Sequence, residues 1–319
     1  MARQADTGIP DLRRMMFLCD LAELGTVVAV AERRNITSSA VSQQLRVLED
    51  EIGVILFRRD GRTFGLTRSG EVLVEHVRHV LAAVDEAVSA VAATGKTVAG
   101  RVTVSGFTIS IPGLIAPMVQ RLSRDVPDLR TRVLQIDSVA AVRALRRGEL
   151  DLAVTCWYDF RGGESLTGLI SEEIMVDPIV LLAPERLHRR VRMSGLTALA
   201  DEPWITAPPG GPLATAAARA ADAAGFTMKV AHRMEGAQNV AQFAASEVAS
   251  AMVPLLAVPP GAEHLIVDGL ELGGRSICAT YREGRHRDPN ILALLQVLRC
   301  VVAERSTAPV RTTELGAAS

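Results

Sequence analysis

The chain has 319 residues, 48% of them hydrophobic and 22% charged, with a formal net charge of −1. That composition is globular and long enough for two domains with sizeable cores. It excludes a protein that coats nucleic acid by global basicity, so any DNA binding must come from local patterning. Residues 1–67 hold nine arginines and nine acidic residues, a zero balance that counts against DNA binding. Lys96 and Lys229 are the only lysines. Cationic roles therefore fall to arginine, the better bidentate donor, although codon bias gives the same imbalance. The amino terminus lacks an apolar core of signal-peptide length, and no stretch reaches about 18 uninterrupted apolar residues. A cytoplasmic protein with no membrane contact is expected. Cys19, Cys156, Cys278 and Cys300 are far apart and show no C-x-x-C spacing. They read as reduced, mostly interior thiols. No repeat of solenoid type is present.

The first predicted element is a helix over 12–24, with Leu12, Met16, Leu18, Leu21 and Leu24 among its apolar positions. Gly25 stops it and Thr26 caps a second helix that runs to about Arg33. Asn35-Ile36 turns the chain into a third helix, 37–52, with Thr37 as its N-cap. Val41, Leu45, Leu48 and Ile52 recur at helical spacing and face inward. Ser39, Ser42, Gln43 and Arg46 fall on the opposite side. Short hydroxyls, an amide and a guanidinium suit base edges and phosphates in a major groove. A helix N-terminus with free N–H groups suits a phosphate. An ordinary surface helix is the alternative, since polar outer faces are the rule.

Val54, Leu56 and Phe57 follow, then Arg58-Arg59 and Asp60-Gly61, a hairpin-turn dipeptide. Arg62-Thr63-Phe64 returns to Leu66. This is a two-stranded wing whose arginines Arg58, Arg59 and Arg62 suit phosphates or the minor groove. The candidate DNA contacts are thus Thr37, Ser38, Ser39, Ser42, Gln43, Arg46, Arg58, Arg59 and Arg62, and the partner is double-stranded DNA.

The order G-T-V, T-S-S-A-V-S-Q-Q-L-R-V-L-E, I-G-V-I-L-F-R-R and L-T-R-S-G resembles the amino terminus of LysR-type transcriptional regulators. The resemblance rests on Thr26, Thr37, Ala40, Val41, Ser42, Gln44, Leu45, Leu48, Glu49, Gly53, Leu56, Phe57, Arg59, Leu66, Thr67 and Gly70. Two departures stand out: Ser38-Ser39 replaces the usual Gln-Pro, and Arg34 replaces a usual leucine.

From Arg68 to Val98 the chain has no proline. Leu73, Val77, Val80, Val84, Ala87 and Val91 form a heptad seam. A 31-residue helix would be about 46 Å long. Pairing with a second copy covers such a seam most simply and gives a homodimer; packing on its own domain is the alternative. His76 and His79 lie one turn apart but have no third ligand in view, so no metal is expected.

Beyond Gly100 strands and helices alternate in α/β fashion. Strands are predicted at 102–105, 131–136, 152–155, 174–182, 204–207, 229–234, 251–253 and 276–281. Helices are predicted at 112–125, 139–147, 212–224, 238–247 and 289–303. A double crossing between two lobes places a ligand cleft at the carboxyl ends of strands. The stretch R-R-G-E-L-D-L-A-V at 146–154 resembles the effector-binding domain of the same family, itself similar to periplasmic binding proteins. Glu247 and Ala249 stand where that family usually has glycine.

The resemblance implies an α/β protein overall. A winged helix-turn-helix spans 1–67 and a linker helix 68–98. A two-lobed effector domain spans 100–303, with lobe I about 100–170 and 268–303 and lobe II about 171–267. A disordered tail spans 304–319. It also implies a tetramer, contact with RNA polymerase, and an effector held by loops that end strands. The candidate contacts are Phe107, Thr108, Ser110, Asp137, Ser138, Thr155, Trp157, Thr206 and Gln238, with loop structure or core packing as the alternative for each. Hydroxyls and helix N-termini there suit a small carboxylate, and Phe107 and Trp157 suit a ring. No cofactor is implied. The rival readings are a redox-responsive regulator using Cys156, a ligand-binding protein without DNA readout, a transport component and an enzyme. No nucleophile elbow, H-E-x-x-H or Cys–His arrangement supports the last.

Overall fold

The computed structural model describes residues 10–60, 63–95, 98–158 and 165–307. The chain divides into two compact units, Met1–Val91 with Glu283–Arg285 and Ala92–Arg282 with His286–Ser319.

In the first unit α1 (Leu12–Leu24) is capped by Asp11, which accepts from the Arg13 N–H at 2.8 Å, and ends at Gly25. α2 (Val27–Arg34) is capped by Thr26 and ends at Asn35, whose φ of 52° is tolerated best by glycine, Asn and Asp. α3 (Ser38–Ile52) is capped by Thr37, whose hydroxyl accepts from the Ala40 N–H at 3.2 Å. Leu18, Val30, Val41, Leu45 and Leu48 are buried in one core, where the 3.6-residue periodicity puts them. β1 (Phe57–Asp60) and β2 (Thr63–Leu66) pair antiparallel as a hairpin. Glu49 on α3 ties it down by accepting from the N–H groups of Leu56 (2.7 Å) and Phe57 (3.2 Å). α4 (Arg68–Thr94) then begins. Its first turn lies so near the hairpin that a Cβ on Gly70 would come within 2.0 Å of the Leu56 carbonyl oxygen. Only glycine fits there.

Two features of this unit differ from expectation. α4 ends at Thr94, four residues early. Its seam is also shorter, because Val77 is already buried and Leu73 packs against the core with Val74. The uncovered stripe is Val80, Val84, Val88 and Val91, at 46, 45, 64 and 72% exposure. The position usually taken by leucine has its explanation too. Arg34 stacks over the Phe17 ring at 4.9 Å and pairs with buried Asp20 at 2.6 Å, with Arg33 3.4 Å from the same carboxylate.

The second unit runs β3 (Gly100–Gly106), α5 (Ala116–Asp125), β4 (Leu129–Gln135), α6 (Ser138–Arg146), β5 (Leu152–Tyr158), β6 (Leu169–Leu182), α7 (Glu185–Ser194) and β7 (Pro203–Thr206). It continues through α8 (Pro212–Ala223), β8 (Lys229–Arg233), α9 (Ala237–Ala244), β9 (Ala251–Pro254) and β10 (Gly274–Arg282) to α10 (Pro289–Thr307). Strand order is β4-β3-β5-β10-β6-β9. β3 is parallel to β4 and β5, while β10 returns antiparallel between β5 and β6. β6 is the long crossing strand. Its first part pairs with β10, and Ile179–Leu182 pair with β9. β9 leads on to the β7–β8 pair through a bridge between Ser250 and Trp204. Two cores result. One lies around Leu114, Met118, Leu294 and Leu298, the other around Val240, Ala251, Val253 and Leu265.

α7 is absent from the expected elements. Its sequence ERLHRRVRMS is charged except for a narrow stripe, Leu187 and Val191, that buries itself. Glu247 has a φ of 60°, the left-handed conformation a glycine would supply. Its carboxylate accepts from the Glu185 N–H at 3.2 Å, capping α7 after Pro184, which has no acceptor side chain. That cap offsets part of a strain of order 1 kcal/mol. The segment before α5, predicted as α-helix from Pro112, is a turn of π-helix over Ile111–Ile115. At the far end, residues 304–307 continue α10, so the tail does not begin at 304; 308–319 lie outside the described residues.

Candidate functional site

Each unit carries one candidate surface. In the first it is the outer side of α3. Val41, Leu45 and Leu48 are fully buried on the inner side, which fixes the helix's rotation. Thr37, Ser39, Gln43 and Arg46 are therefore exposed, and Ser38 and Ser42 half-buried. The Thr37 and Ser39 hydroxyls lie 2.9 Å apart and hydrogen-bond each other. Among the described residues Arg46 and Arg58 make no ion pair. Arg58 is exposed on β1, while Arg62 and the side chain of Arg59 lie outside the described residues.

Part of the charge of this segment is paired inside the fold. Asp20 and Glu23 are held by Arg33 and Arg34, and Glu51 by Arg14. Arg14 also donates to Gln44 at 3.1 Å, tying α1 to α3. These pairs use up three acids and three arginines alike, so the rest of the segment stays balanced, and the outer side of α3 carries exposed Arg46 with exposed Asp50 one turn on. Sequence reading misses this pairing because the partners are 10 to 37 residues apart.

In the second unit a cleft of about 640 Å³ opens beside the crossing strands, a size suited to a small organic ligand. It brings together Phe107, Thr108, Asp137 and Gln238 of the nine expected contacts. The other five lie elsewhere, for identifiable reasons. Thr155 and Trp157 are on the wrong side of β5, since alternate residues face opposite ways. Thr155 is fully buried against Thr280 at 3.0 Å, while Cys156 and Tyr158 face the cleft. Ser110 is buried and donates to the Phe107 carbonyl at 2.8 Å. Ser138 stands behind the wall, its hydroxyl accepting from the Cys156 N–H at 2.9 Å and donating to Sγ at 3.7 Å. Thr206 is buried and lines a second cavity of about 390 Å³ along α8.

Two helices begin at the cleft without a side-chain cap, α8 after Gly211 and α9 after Gly236. Glycine cannot cap, so the N–H groups of their first turns remain free of side-chain acceptors. α6 differs: Asp137 accepts from the N–H groups of Val139 and Ala140, both at 3.0 Å. Its carboxylate is committed to the helix even though it lines the cleft.

The unforeseen residue is Arg275. It sits at the start of β10, paired across the sheet with Tyr158 on one side and Asp177 on the other. Its Nε and Nη2 donate to Asp177 Oδ2 at 3.0 and 2.8 Å, and the two side chains are only 4% and 1% exposed. Asp177 Oδ1 accepts from the Leu256 N–H at 3.0 Å. Nη1 contacts Cys156 Sγ at 3.9 Å, and the guanidinium lies 5.0 Å from the Phe107 ring centre and 5.8 Å from that of Tyr158.

Burial pushes the Cys156 thiol above its ordinary value, and Arg275 and Ser138 offset this only in part. Burial likewise raises Tyr158, against the pull of Arg275. For Arg275 burial acts downward, but its neighbours, the paired carboxylate of Asp177 among them, outweigh it and the guanidinium is held charged. A thiol kept protonated is a poor nucleophile, which weakens the reading of Cys156 as a redox sensor. No group of three or more His, Cys, Asp or Glu arranged to hold a metal occurs among the described residues, and none of the described helices is long and apolar enough to cross a membrane.

The first unit is a winged helix-turn-helix and the second a two-lobed α/β domain with a cleft. The family comparison agrees. The model of the bacterial regulatory helix-turn-helix protein, lysR family, matches residues 12–71, and that of the LysR substrate binding domain matches residues 95–303. The chain belongs to the LysR family of transcriptional regulators.

Relatives include the regulator AlsR of Bacillus subtilis, 26% identical over 61% of this chain and 64% of its own length. XapR of Escherichia coli is 26% identical over 62% and 67%, and the nitrogen assimilation regulatory protein nac of Klebsiella aerogenes 27% over 54% and 55%. The match thus spans between about half and two thirds of each relative. Among solved structures, a cysteine-to-aspartate variant of full-length OxyR from Pseudomonas aeruginosa superposes with a TM-score of 0.61 at 19% identity, covering 92% of this chain and 95% of that one. ArgP from Mycobacterium tuberculosis gives 0.58 at 20%, covering 93% and 98%. At these identities the structures establish the fold.

Proposed function

We propose that this regulator reads a specific DNA sequence with the outer face of α3 and is controlled by a small carboxylate held in the cleft of its second unit. The observation that carries the first part is the rotation of α3, fixed by three fully buried residues with Ser39, Gln43 and Arg46 turned outward. Side chains of these types match base edges and phosphates in a major groove. Thr37, Ser38 and Ser42 complete the reading surface, and Arg58, Arg59 and Arg62 hold the backbone from the wing. The uncapped starts of α8 and α9 support an anionic effector in the cleft.

The working units are 1–67 for DNA, 68–98 for pairing and 100–303 for the effector. Two copies pair through the Val80–Val84–Val88–Val91 stripe of α4, since valines this exposed on one helix face need a cover. Tetramers, contact with RNA polymerase and a cytoplasmic setting complete the reading. The ligand acts by its differential affinity for two arrangements of the protein.

The test is a gel shift at fixed salt, with DNA upstream of this protein's own gene against a shuffled competitor. Selective binding by the wild type, lost in Arg46→Ala, is expected. Selectivity that survives Arg46→Ala removes α3's outer face from base reading.

A further inference from the structure

A guanidinium buried at the floor of a cleft needs a reason to be there. Asp177 gives part of one, but it uses a single oxygen, Oδ2, for both Nε and Nη2, while Oδ1 is spent on the Leu256 N–H. The Nη1 edge is left beside a thiol at 3.9 Å. A protonated thiol is a weak acceptor, whereas a carboxylate oxygen makes a charge-assisted bond. Arg275 lines the cleft with Phe107, Cys156 and Tyr158. The same cleft is lined by the uncapped starts of α8 and α9, whose free N–H groups favour negative charge. The acids that line the cleft do not cancel this: Asp137 is committed to capping α6, and Glu235 is exposed to solvent.

The place of Arg275 in the fold adds a second point. It and Asp177 are cross-strand partners on β10 and β6, the two strands by which the chain passes between lobes. Asp177 also fixes the backbone just after β9 through Leu256. A group bound to Nη1 is therefore two hydrogen bonds away from the segment where β9 ends.

We propose that Arg275 is the residue by which the cleft recognises its effector, through a carboxylate that takes the Nη1 edge from Cys156 while Asp177 keeps the guanidinium fixed to the crossing strands. The inference rests on the cleft as the effector site and deepens it. The ligand it defines is a small organic carboxylate with an apolar body, lying against Phe107, Ile109 and Leu213.

Cys156 supplies the assay. Iodoacetate carries a carboxylate one carbon from the atom the sulfur attacks; iodoacetamide is its neutral analogue. In both, the Cys156 thiolate forms a carbon–sulfur bond as carbon–iodine breaks, iodide leaves, and the thiol proton goes to solvent. The full-length protein is treated with each reagent at pH 8.5, and peptide mass spectrometry gives the rate at each cysteine. The quantity read is the iodoacetate-to-iodoacetamide rate ratio at Cys156 divided by that at exposed Cys300. Thiolate fraction cancels in such a ratio. The expected value is about tenfold above unity, one charge-assisted hydrogen bond. Because Arg275→Gln alone strands a buried carboxylate, the comparison variant is Arg275→Gln with Asp177→Asn, its fold checked by circular dichroism; there the ratio should fall to unity. A ratio of unity in the wild type, with Cys156 still alkylated by iodoacetamide, overturns the role of Arg275 and leaves the cleft reading intact. A high ratio retained in the double variant assigns the attraction to α8 and α9 instead, and also overturns it. Cys156 inert to both reagents at pH 8.5, and again at higher pH where a thiol raised by burial ionises, while Cys300 reacts, means that the cleft admits no small molecule, which defeats the cleft reading itself.

Discussion

Arg46 on α3 is exposed and makes no ion pair among the described residues, whereas Arg275 in the second unit is almost wholly buried against Asp177. The same side chain is a solvated probe in one unit and part of a rigid fixture in the other. An exposed guanidinium costs the fold nothing and is available to a phosphate or a base. A buried one must be paired, and the pairing decides which of its edges remains to meet a ligand. The Asp20 cluster lies between these extremes: Arg34 keeps about a quarter of its exposure while Asp20 is nearly buried.

The sharpest way to break this comparison is to remove the fixture. Asp177→Ala leaves a buried, uncompensated guanidinium and the Leu256 N–H without its acceptor. A loss of about 3–5 kcal/mol in urea unfolding of the second unit is expected. A loss below about 1 kcal/mol would mean that water reaches the pair and that it fixes nothing. Next comes the probe. Gln43→Ala or Ser42→Ala should cut discrimination against a wrong base by about 1–3 kcal/mol per lost contact, measured by competition binding with single-base variants of the bound site. Undiminished discrimination would place those side chains off the bases.

Smaller effects sharpen the picture. Thr37→Ala removes the α3 cap and should cost about 1 kcal/mol of stability in the first unit, checked by thermal melting. A melt that does not shift would show that the Thr37 cap adds nothing to stability. Cys19 supplies a pH signature. Burial lifts its thiol to about 12, from 9.0. Below pH 9 the thiol is protonated in both states and has no effect. Above pH 9 the unfolded thiol ionises first, so this stability is lost as pH rises toward 12. At pH 10 the loss is about 1 kcal/mol, and Cys19→Ala should abolish it. Parallel pH profiles for the two proteins would show that Cys19 is solvated. Arg58→Ala is the mildest case: all DNA sequences should weaken alike, with the salt slope reduced by about one.

The unequal legibility of the two regions has a physical basis. α3 is a contiguous element with a period of 3.6, so four apolar residues fix which residues face out. The cleft is built by convergence. Asp177 and Arg275 are 98 residues apart and meet only because β10 returns antiparallel beside β6. Even inside β5 the sequence leaves two phases open, and the expected contacts Thr155 and Trp157 belong to the phase opposite that of Cys156 and Tyr158. A polar residue at a strand end looks the same in either phase until the sheet sets its sides. Helix α4 shows the same limit. Its heptad is plain, yet Val77 is already buried in the single chain, and the stripe drifts to Val88 because a straight helix does not repeat every seven residues.

The most direct test puts both arginines in one assay. A duplex selected by the wild-type protein from a random pool is compared with a shuffled duplex at fixed salt, for Arg46→Ala and for Arg275→Gln with Asp177→Asn. Arg46→Ala should lose preference for the selected duplex, while the cleft variant should keep it in the absence of any effector. Preference that survives Arg46→Ala, or that vanishes equally in the cleft variant, would contradict the division of labour between the two units.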